Sequence, residues 1–268
     1  MPDTLRQIVD ESLLSQVEAI AERAGEVILG FYEGALETRA KADASPVTAA
    51  DDAAEAVILP ALEPLLRGVP AVSEEAVAAG RIPDVHGPAN PGGRFWLVDP
   101  LDGTKEFISR NGEFTVNIAL IEGGRPVLGV VHIPALATTY GGIVPRLARK
   151  RHKGVSRSIN ARTAPCDGSI VLSSRSHGDS EALDAFLARE RIGGHRIAGS
   201  ALKFCLVAEG VADIYPRLGR TMEWDTAAGH AIVAAAGGRV TTLDGRDLTY
   251  GKSGFDNPHF VARGRVAK

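Results

Sequence analysis

Apolar side chains recur at intervals of three and four through the first quarter of the chain, and this spacing predicts two amphipathic helices. The first covers residues 5 to 33, with Gly34 expected to end it. The second begins near Thr48, because Thr48 and Asp51 form a T-x-x-D capping pattern, and its apolar face continues to Leu66. Asp51 is therefore expected in the first turn of a helix.

The helical period then gives way to short apolar runs. Residues 69–73 and 95–99 predict two strands that each end at acidic residues, separated by a loop rich in Gly, Pro and Ala. Residues 113–121 and 125–133 predict a hairpin, because β-rich runs flank a Glu-Gly-Gly turn. The first part of the chain is therefore predicted to be helices followed by an antiparallel sheet.

Strands and helices alternate in the remainder of the chain. The patterns predict strands at 168–173, 195–198 and 212–215, and helices at 179–189, 200–209 and 226–236. Such alternation is typical of α/β structure with crossover connections. We therefore predict an α+β half, residues 1–133, and an α/β half, residues 134–268.

Composition narrows the class of protein. The chain has 268 residues, 44% of them hydrophobic, and its formal net charge of −3 gives no general attraction to nucleic acid or anionic membrane. It contains no run of 18 apolar residues, and acidic residues stand where a signal peptide would be basic, so a soluble, cytoplasmic protein is expected. Its two cysteines have no zinc-site or disulfide-framework spacing.

One segment, residues 146–162, concentrates positive charge. It contains no aromatic residue for base stacking, which disfavours a nucleic-acid site. A solvated hairpin or connecting loop is the main expectation, and steering of an anionic substrate is the alternative.

The candidate chemistry begins at the end of the strand over residues 95–99. Asp99 and Asp102 lie three residues apart in a Pro/Gly turn that can aim both carboxylates at one point. Converging carboxylates repel unless a cation lies between them, and hard oxygen ligands favour magnesium or manganese over zinc. The Leu101 carbonyl is a natural further ligand. The alternative is that both acids are ordinary turn and N-cap residues.

Neighbouring features strengthen the metal-site interpretation. A short helix beginning at Thr104, after Gly103, would present free amide groups to a phosphate. Glu74 also ends a strand, and Asp225 precedes a helix of small residues. Taken singly, Glu74 could be a solvated loop acid and Asp225 an N-cap, so the prediction rests on the set.

Many blocks in order resemble the inositol monophosphatase superfamily and, within it, the bacterial CysQ-type 3'(2'),5'-bisphosphate nucleotidases. The blocks that carry the resemblance are residues 41–51, 73–75, 96–107, 110–120, 173–177, 202–210 and 224–230.

The resemblance implies a layered αβαβα sandwich of the inositol monophosphatase and fructose-1,6-bisphosphatase type, with the active site between its halves. It implies metal ligands at Glu74, Asp99, the Leu101 carbonyl, Asp102 and Asp225. Magnesium, as two or three ions, is the implied cofactor, and lithium the implied inhibitor.

The resemblance also implies a mechanism of in-line attack by a water that a cation activates. Thr104 and Asp51 would orient that water and accept its proton, with Glu74 as a third catalytic group. Gly103 and Thr104 would bind the reacting phosphate. The nucleotide-binding positions fall on His177, Ser200, Lys203 and Arg217, although Lys203 could instead extend to water and Arg217 could be a loop cation.

The activity so implied is hydrolysis of adenosine 3',5'-bisphosphate to AMP and phosphate in support of sulfate assimilation. An inositol monophosphatase or a broad sugar-phosphate phosphatase is the nearest alternative. A non-catalytic nucleotide-binding regulator is the alternative from another class, disfavoured because binding alone needs neither Asp51 nor Thr104. A homodimer is a family expectation, no nucleic-acid partner is expected, and peripheral association with the inner membrane stays open.

Overall fold

The computed structural model describes residues 9–33, 38–40, 46–87, 90, 92–174 and 180–265. Within these residues seven α-helices form: α1 Glu11–Glu33, α2 Ala49–Leu62, α3 Glu74–Ala78, α4 Thr104–Ile108, α5 Ser180–Leu187, α6 Leu202–Ala208 and α7 Glu223–Ala235. The first nine strands of the same described part are β1 Thr38–Ala40, β2 Pro46–Thr48, β3 Ala71–Ser73, β4 Phe95–Asp102, β5 Thr115–Glu122, β6 Arg125–Ile133, β7 Thr138–Ile143, β8 Leu147–His152 and β9 Val155–Ser158. The others are β10 Ser169–Ser173, β11 Ile192–Ile197, β12 Ile214–Arg217, β13 Arg239–Thr242 and β14 Phe260–Arg263.

Two large sheets organise the described chain. The first has seven strands in the order β3-β4-β5-β6-β7-β8-β9, antiparallel except for the parallel pair β3 and β4. The second has five strands in the order β11-β10-β12-β14-β13, of which β11, β10 and β12 are parallel. The short strands β1 and β2 form a separate antiparallel pair.

Helices cover both sheets and separate them. Helices α1 and α2 pack on one face of the seven-stranded sheet, while α7 contacts the strands of both sheets and α6 packs against α7 and the five-stranded sheet. Apolar side chains of α5 pack on the outer face of the five-stranded sheet. These five layers confirm the predicted αβαβα sandwich, a mixed α/β fold.

Strand β4 shows how the sequence produces these layers. Successive side chains of a strand point to opposite faces of its sheet. Phe95 and Leu97 accordingly lie in the core facing α7, whereas Trp96 and Val98 lie in the core facing α1 and α2. Strand β4 is buried on both faces along almost its whole length, and Asp99 within it is buried as well, with 1% of its surface exposed.

Glycines allow α7 to lie very close to the seven-stranded sheet. A Cβ atom added at Gly129 on β6 would lie 2.4 Å from the carbonyl oxygen of Ala228 on α7. One added at Gly142 on β7 would lie 3.0 Å from the Cα atom of Ile232 on the same helix. Side chains at these two positions would therefore push α7 away from the sheet.

The predicted helices of the first half are present with shorter bounds. Helix α1 begins at Glu11, and the predicted positions 5–8 and Gly34 lie outside the described residues. Helix α2 ends at Leu62 instead of continuing to Leu66. Pro64 explains this end, because its ring would clash with the carbonyl of residue 60 and it has no N–H to donate.

Other differences concern the strands and their connections. The loop expected after Glu74 begins as helix α3, whose N-cap is Ser73. Strand β4 continues to Asp102 rather than ending at Asp99, and the sequence patterns did not predict β7, β13 or β14. The boundary expected near residue 134 falls inside the seven-stranded sheet, because β6 and β7 pair along their length and the chain leaves this sheet only after Ser158.

Two helices of the second half have different starts from those predicted. Helix α6 begins at Leu202 rather than at Ser200, whose φ of 51° is incompatible with an α-helix. Helix α7 begins at Glu223 rather than at residue 226. Asp225 therefore lies within its first turn and is not its N-cap.

The basic segment forms the predicted hairpin, strands β8 and β9, but its basic side chains are not simply solvated. The guanidinium of Arg149 lies 2.8 Å from Glu18 on α1, and the ammonium of Lys150 lies 2.9 Å from Glu209 at the end of α6. Arg151 contacts Glu22 at 2.6 Å. The expectation of a solvated segment is confirmed for β9, whose four residues are exposed, but not for β8, whose basic side chains pair with acids that are distant in sequence.

No helix in the described part of the chain is long and apolar enough to cross a membrane.

Candidate active site

A cavity of about 330 Å³ lies between the two sheets and collects most of the predicted site residues. Those on its wall are Glu74, Asp99, Leu101, Asp102, Gly103, Thr104, Ser200, Lys203, Arg217 and Asp225. Asp51 is not among the lining residues, and His177 lies outside the described residues.

Three carboxylates converge in this cavity. One oxygen atom from each of Glu74, Asp99 and Asp225 lies within 4.8 Å of the other two. The fold explains two of them, because β3 and β4 are parallel neighbours and Ser73 pairs with Val98. Glu74 and Asp99 follow directly and so emerge at the same edge of the sheet.

The turn after Asp99 redirects the chain within β4. Pairing of β4 with β5 shifts register between Asp99 and Asp102, as in a β-bulge. The Leu101 N–H donates a hydrogen bond of 3.1 Å to Asp99 Oδ1, which holds the turn. Bulges bend a strand and re-aim its side chains, so the Asp-Pro-Leu-Asp sequence brings both acids to the cavity.

Asp225 reaches the cavity from the first turn of α7. One of its carboxylate oxygens, Oδ2, accepts a hydrogen bond of 2.8 Å from the Met222 N–H, the amide of the N-cap residue. This bond ties the side chain to the start of the helix, where the helix dipole favours negative charge. Asp225 therefore caps the helix from its third position and faces Glu74 and Asp99 at the same time.

The electrostatics of the cluster are those of a cation site. Burial raises the pKa of Asp99 well above its ordinary value, and the charges of Glu74, Asp102 and Asp225 raise it further. Burial, Asp102 and Glu74 likewise raise the pKa of Asp225 to about 8. Carboxylates that repel one another in this way fit a hard divalent cation, which prefers oxygen ligands.

Asp102 lies beside this group and is held firmly in place. Its Oδ2 atom accepts hydrogen bonds from the Ser200 hydroxyl at 2.5 Å and from the Ala201 N–H at 2.7 Å. Thr115 and Asn117 on β5 donate longer bonds to the same oxygen. Residues from both sheets thus fix the direction of this carboxylate.

Gly103, Thr104 and Asp51 occupy positions consistent with their predicted surroundings. Gly103 has a φ of 89°, a left-handed conformation that favours glycine, and α4 begins at Thr104 as the sequence predicts. Asp51 is 2% exposed in the first turn of α2, and its charge contributes to the raised pKa of Asp99. The catalytic roles assigned to these residues stay predictions.

Three cationic side chains line the same cavity: Lys105, Lys203 and Arg217. Lys203 is 4% exposed, so it does not extend to water, and its Nζ donates to the Ala198 carbonyl at 3.2 Å. Burial lowers its pKa to about 8. Arg217 ends β12, and its guanidinium donates to the Ser174 hydroxyl at 3.3 Å and to the Arg220 carbonyl at 2.9 Å.

The structure adds lining residues that the sequence patterns did not single out. Ser174 follows β10 and contacts Arg217, and Tyr215 lies with its ring centroid 5.3 Å from Lys203 Nζ. The signal for Tyr215 was its position two residues before Arg217, since alternate residues of a strand share a face. Ser174 had no comparable local signal.

Comparisons with known proteins agree with this geometry. A family model described as the inositol monophosphatase family matches residues 9–266. The 3'(2'),5'-bisphosphate nucleotidase CysQ of Salmonella typhimurium is 49% identical over 253 residues, covering 92% of this chain and 98% of that protein. The corresponding protein of Escherichia coli K12 is 47% identical with the same coverage. The crystal structure of CysQ from Bacteroides thetaiotaomicron, a bacterial member of the inositol monophosphatase family, matches with a TM-score of 0.79 and 37% identity, covering 97% of this chain and 99% of that one.

Proposed function

Because the chain belongs to the inositol monophosphatase family, we propose that it is a 3'(2'),5'-bisphosphate nucleotidase that hydrolyses adenosine 3',5'-bisphosphate to AMP and phosphate. The observation that carries this proposal is the combination, in one cavity, of converging carboxylates with the cations Lys203 and Arg217. A monophosphate substrate requires only the carboxylate region. A bisphosphate also requires cationic groups for its second phosphate.

The carboxylate cluster supports a divalent-cation site, and we propose magnesium, as two or three ions, as the cofactor. Glu74, Asp99, Asp102, Asp225 and the Leu101 carbonyl would hold them. A divalent cation bound there supplies Lewis-acid activation of water and neutralises charge on the phosphoryl group. Lithium is expected to inhibit.

The remaining roles belong to the chain's own groups. We assign proton acceptance from the attacking water to Thr104 and Asp51, and orientation of the reacting phosphate to the backbone amides at Gly103 and Thr104. Lys203 and Arg217 would bind the non-reacting phosphate by charge-assisted hydrogen bonds. Ser200 and His177 are proposed as further nucleotide contacts.

A comparison of two substrates tests the proposal. The purified protein should hydrolyse adenosine 3',5'-bisphosphate much more efficiently than inositol 1-phosphate in the presence of magnesium. An Asp99→Asn variant purified in the same way serves as the control for contaminating phosphatases. Comparable efficiencies on the two substrates would favour the broad inositol-phosphate or sugar-phosphate phosphatase instead.

Other parts of the proposal need separate measurements. Nucleotide binding without magnesium-dependent phosphate release would indicate a non-catalytic regulator. Removal of an inhibitory nucleotide during sulfate assimilation is the proposed physiological role. The homodimer and the cytoplasmic location stay predictions, to be checked by sedimentation and by cell fractionation.

A further inference from the structure

Residues 198–201, here called the strap, link β11 to α6 at the edge of the cavity. The strap joins the two sheets. The Ala198 N–H donates to the carbonyl of Ser173 on β10 at 3.3 Å. The Gly199 N–H donates to Glu113 Oε2, just before β5, at 2.6 Å.

The strap also contacts two groups to which the proposed function assigns a role. Through Ser200 Oγ and Ala201 N it binds the carboxylate of Asp102, at 2.5 and 2.7 Å. Through the Ala198 carbonyl it accepts the hydrogen bond from Lys203 Nζ at 3.2 Å. A shift of the strap would therefore move a carboxylate that faces the metal and an ammonium that faces the substrate at the same time.

The backbone of the strap is in close contact with α4 and holds an unfavourable conformation. A Cβ atom at Gly199 would lie 2.6 Å from Glu106 Cγ, so the backbone is already in close contact with α4. Ser200 has a φ of 51°, a left-handed conformation that a non-glycine residue holds only when its surroundings enforce it. The hydrogen bond from the Gly199 N–H to Glu113 is charge-assisted, and it can hold Ser200 in this conformation from the side of the seven-stranded sheet.

We propose that Glu113 is a positioning residue, which fixes the strap through the Gly199 N–H and thereby sets the positions of both Asp102 and Lys203. This inference rests on the proposed function for the roles of those two residues. Glu113 itself acts through the strap rather than by touching substrate or metal.

The test compares three variants. Glu113→Ala removes the acceptor for the Gly199 N–H, Glu113→Gln keeps an acceptor oxygen at the same length, and Glu122→Ala removes an acid at the other end of β5, where it pairs with Arg94 at 3.2 Å. Calorimetry with manganese alone gives metal affinity in the absence of substrate. Steady-state rates on adenosine 3',5'-bisphosphate give kcat and KM.

We expect Glu113→Ala to weaken manganese binding and to raise KM, each by about tenfold, as is usual when a group supporting a metal ligand is removed. Glu113→Gln should restore both values most of the way to wild type, and Glu122→Ala should leave both unchanged. If Glu113→Ala does not fold, Gly199→Ala perturbs the strap from the other side and should produce the same two losses.

Wild-type manganese affinity and KM in Glu113→Ala would overturn the inference, even with a lower melting temperature, because that result describes a purely structural residue. Failure of the proposed function would appear differently. Wild-type protein would then fail to prefer the bisphosphate, while the manganese titrations would still show whether Glu113 positions Asp102.

Discussion

Two regions of this molecule concentrate acidic side chains and differ in what balances their charge. In the cavity, Glu74, Asp99 and Asp225 converge on one another. Burial raises the pKa of Asp99 and of Asp225, and the charges of neighbouring acids raise both pKa values further. Beside strand β8, a second set of acids contacts arginine and lysine side chains: Glu18, Glu22 and Glu209.

The difference separates structural charge from functional charge. The second set is balanced by the chain itself, since Arg149, Arg151 and Lys150 reach it from the hairpin, and removal of one partner would leave a charge poorly compensated. The cavity acids repel one another, and the divalent cation of the proposed function would offset that repulsion. Converging buried acids with raised pKa values are therefore a stronger indicator of a site than buried acids held in salt bridges.

The largest expected effect comes from removing one carboxylate of the cavity cluster. Asp99→Asn should lower turnover by at least about a hundredfold, because metal-assisted attack loses a ligand and its geometry. The metal-free variant should melt no lower than the wild type, since the substitution removes a carboxyl group whose ionised form is disfavoured by burial and by the neighbouring acids. Turnover at saturating magnesium and the melting temperature without magnesium measure both effects. Near-native turnover would refute the assignment of Asp99 as a ligand.

The opposite outcome is expected in the balanced set. Glu209 is 5% exposed in its side chain, and it accepts bonds from Lys150, Arg157 and the Tyr140 hydroxyl. Glu209→Ala should lower the free energy of unfolding by about 3 kcal/mol while turnover of the folded protein stays unchanged.

Denaturant unfolding measures this loss, and an exposed pair provides the control. Asp244 and Arg246 have side chains 55% and 80% exposed. Asp244→Ala should therefore have little effect on stability. Equal losses in Glu209→Ala and Asp244→Ala would show that burial of the first pair has no energetic consequence.

Lys203 sharpens the comparison, because it is a buried cation that lies in the cavity. Lys203→Ala should lower catalytic efficiency on adenosine 3',5'-bisphosphate by roughly tenfold to a hundredfold, since a charge-assisted contact to the second phosphate is lost. Efficiency on inositol 1-phosphate should stay nearly the same. Arg217→Ala should behave similarly.

Lys150→Ala is the matched control, a lysine that balances Glu209 outside the cavity wall. It should lower stability without altering the ratio of the two efficiencies. If Lys203→Ala lowers both efficiencies equally, Lys203 supports the fold or the carboxylate core rather than selecting the bisphosphate.

The smallest expected effect is a pH dependence of stability without divalent cations. An acid whose pKa is raised on folding binds its proton more tightly in the folded state, so stability falls as pH rises toward the folded pKa. The pKa of Asp225 is about 8, and that of Asp99 is raised too. Burial lowers the pKa of His132 and His230 to about 4, which has the opposite effect but only up to about pH 6.5.

The informative window is therefore pH 6.5 to 7.5, where stability without metal should fall by on the order of 1 kcal/mol. Saturating magnesium should abolish the decline, and Asp225→Asn should reduce it. Chemical unfolding at several pH values measures the slope. A slope that magnesium does not change would indicate that the titrating groups lie elsewhere.

The elements and site residues that the sequence predicts correctly are those with a signal in a single short segment. The Glu-Gly-Gly turn predicts the hairpin of β5 and β6, and the apolar runs that form β3 and β4 predict the positions of Glu74 and Asp99. Strand β7 is not predicted because its sequence, Thr-Thr-Tyr-Gly-Gly-Ile, contains two glycines. These glycines are needed because helices lie close to both faces of the strand.

Contacts between distant parts of the chain cannot be predicted from local sequence patterns. The basic hairpin was expected to be solvated, although Arg149 and Glu18 are separated by 131 residues in sequence and meet in space. The Ser200 hydroxyl donates to Asp102, a pairing that depends on how the two sheets meet, and the contact of Ser200 with the nucleotide stays a prediction. Neither contact produces a recognisable pattern within a single segment of the sequence.

The glycines under helix α7 extend the region in which the enzyme tolerates little mutation. Gly129 and Gly142 are not in the cavity lining, but they determine how near α7 lies to the sheet, and α7 carries Asp225. A methyl group at either position would displace the helix and move Asp225 relative to Asp99. In a library of random variants, selection for activity should thus retain these two glycines as strictly as the carboxylates. The geometry of the catalytic site depends on the distance between α7 and the sheet, which residues outside the cavity lining determine.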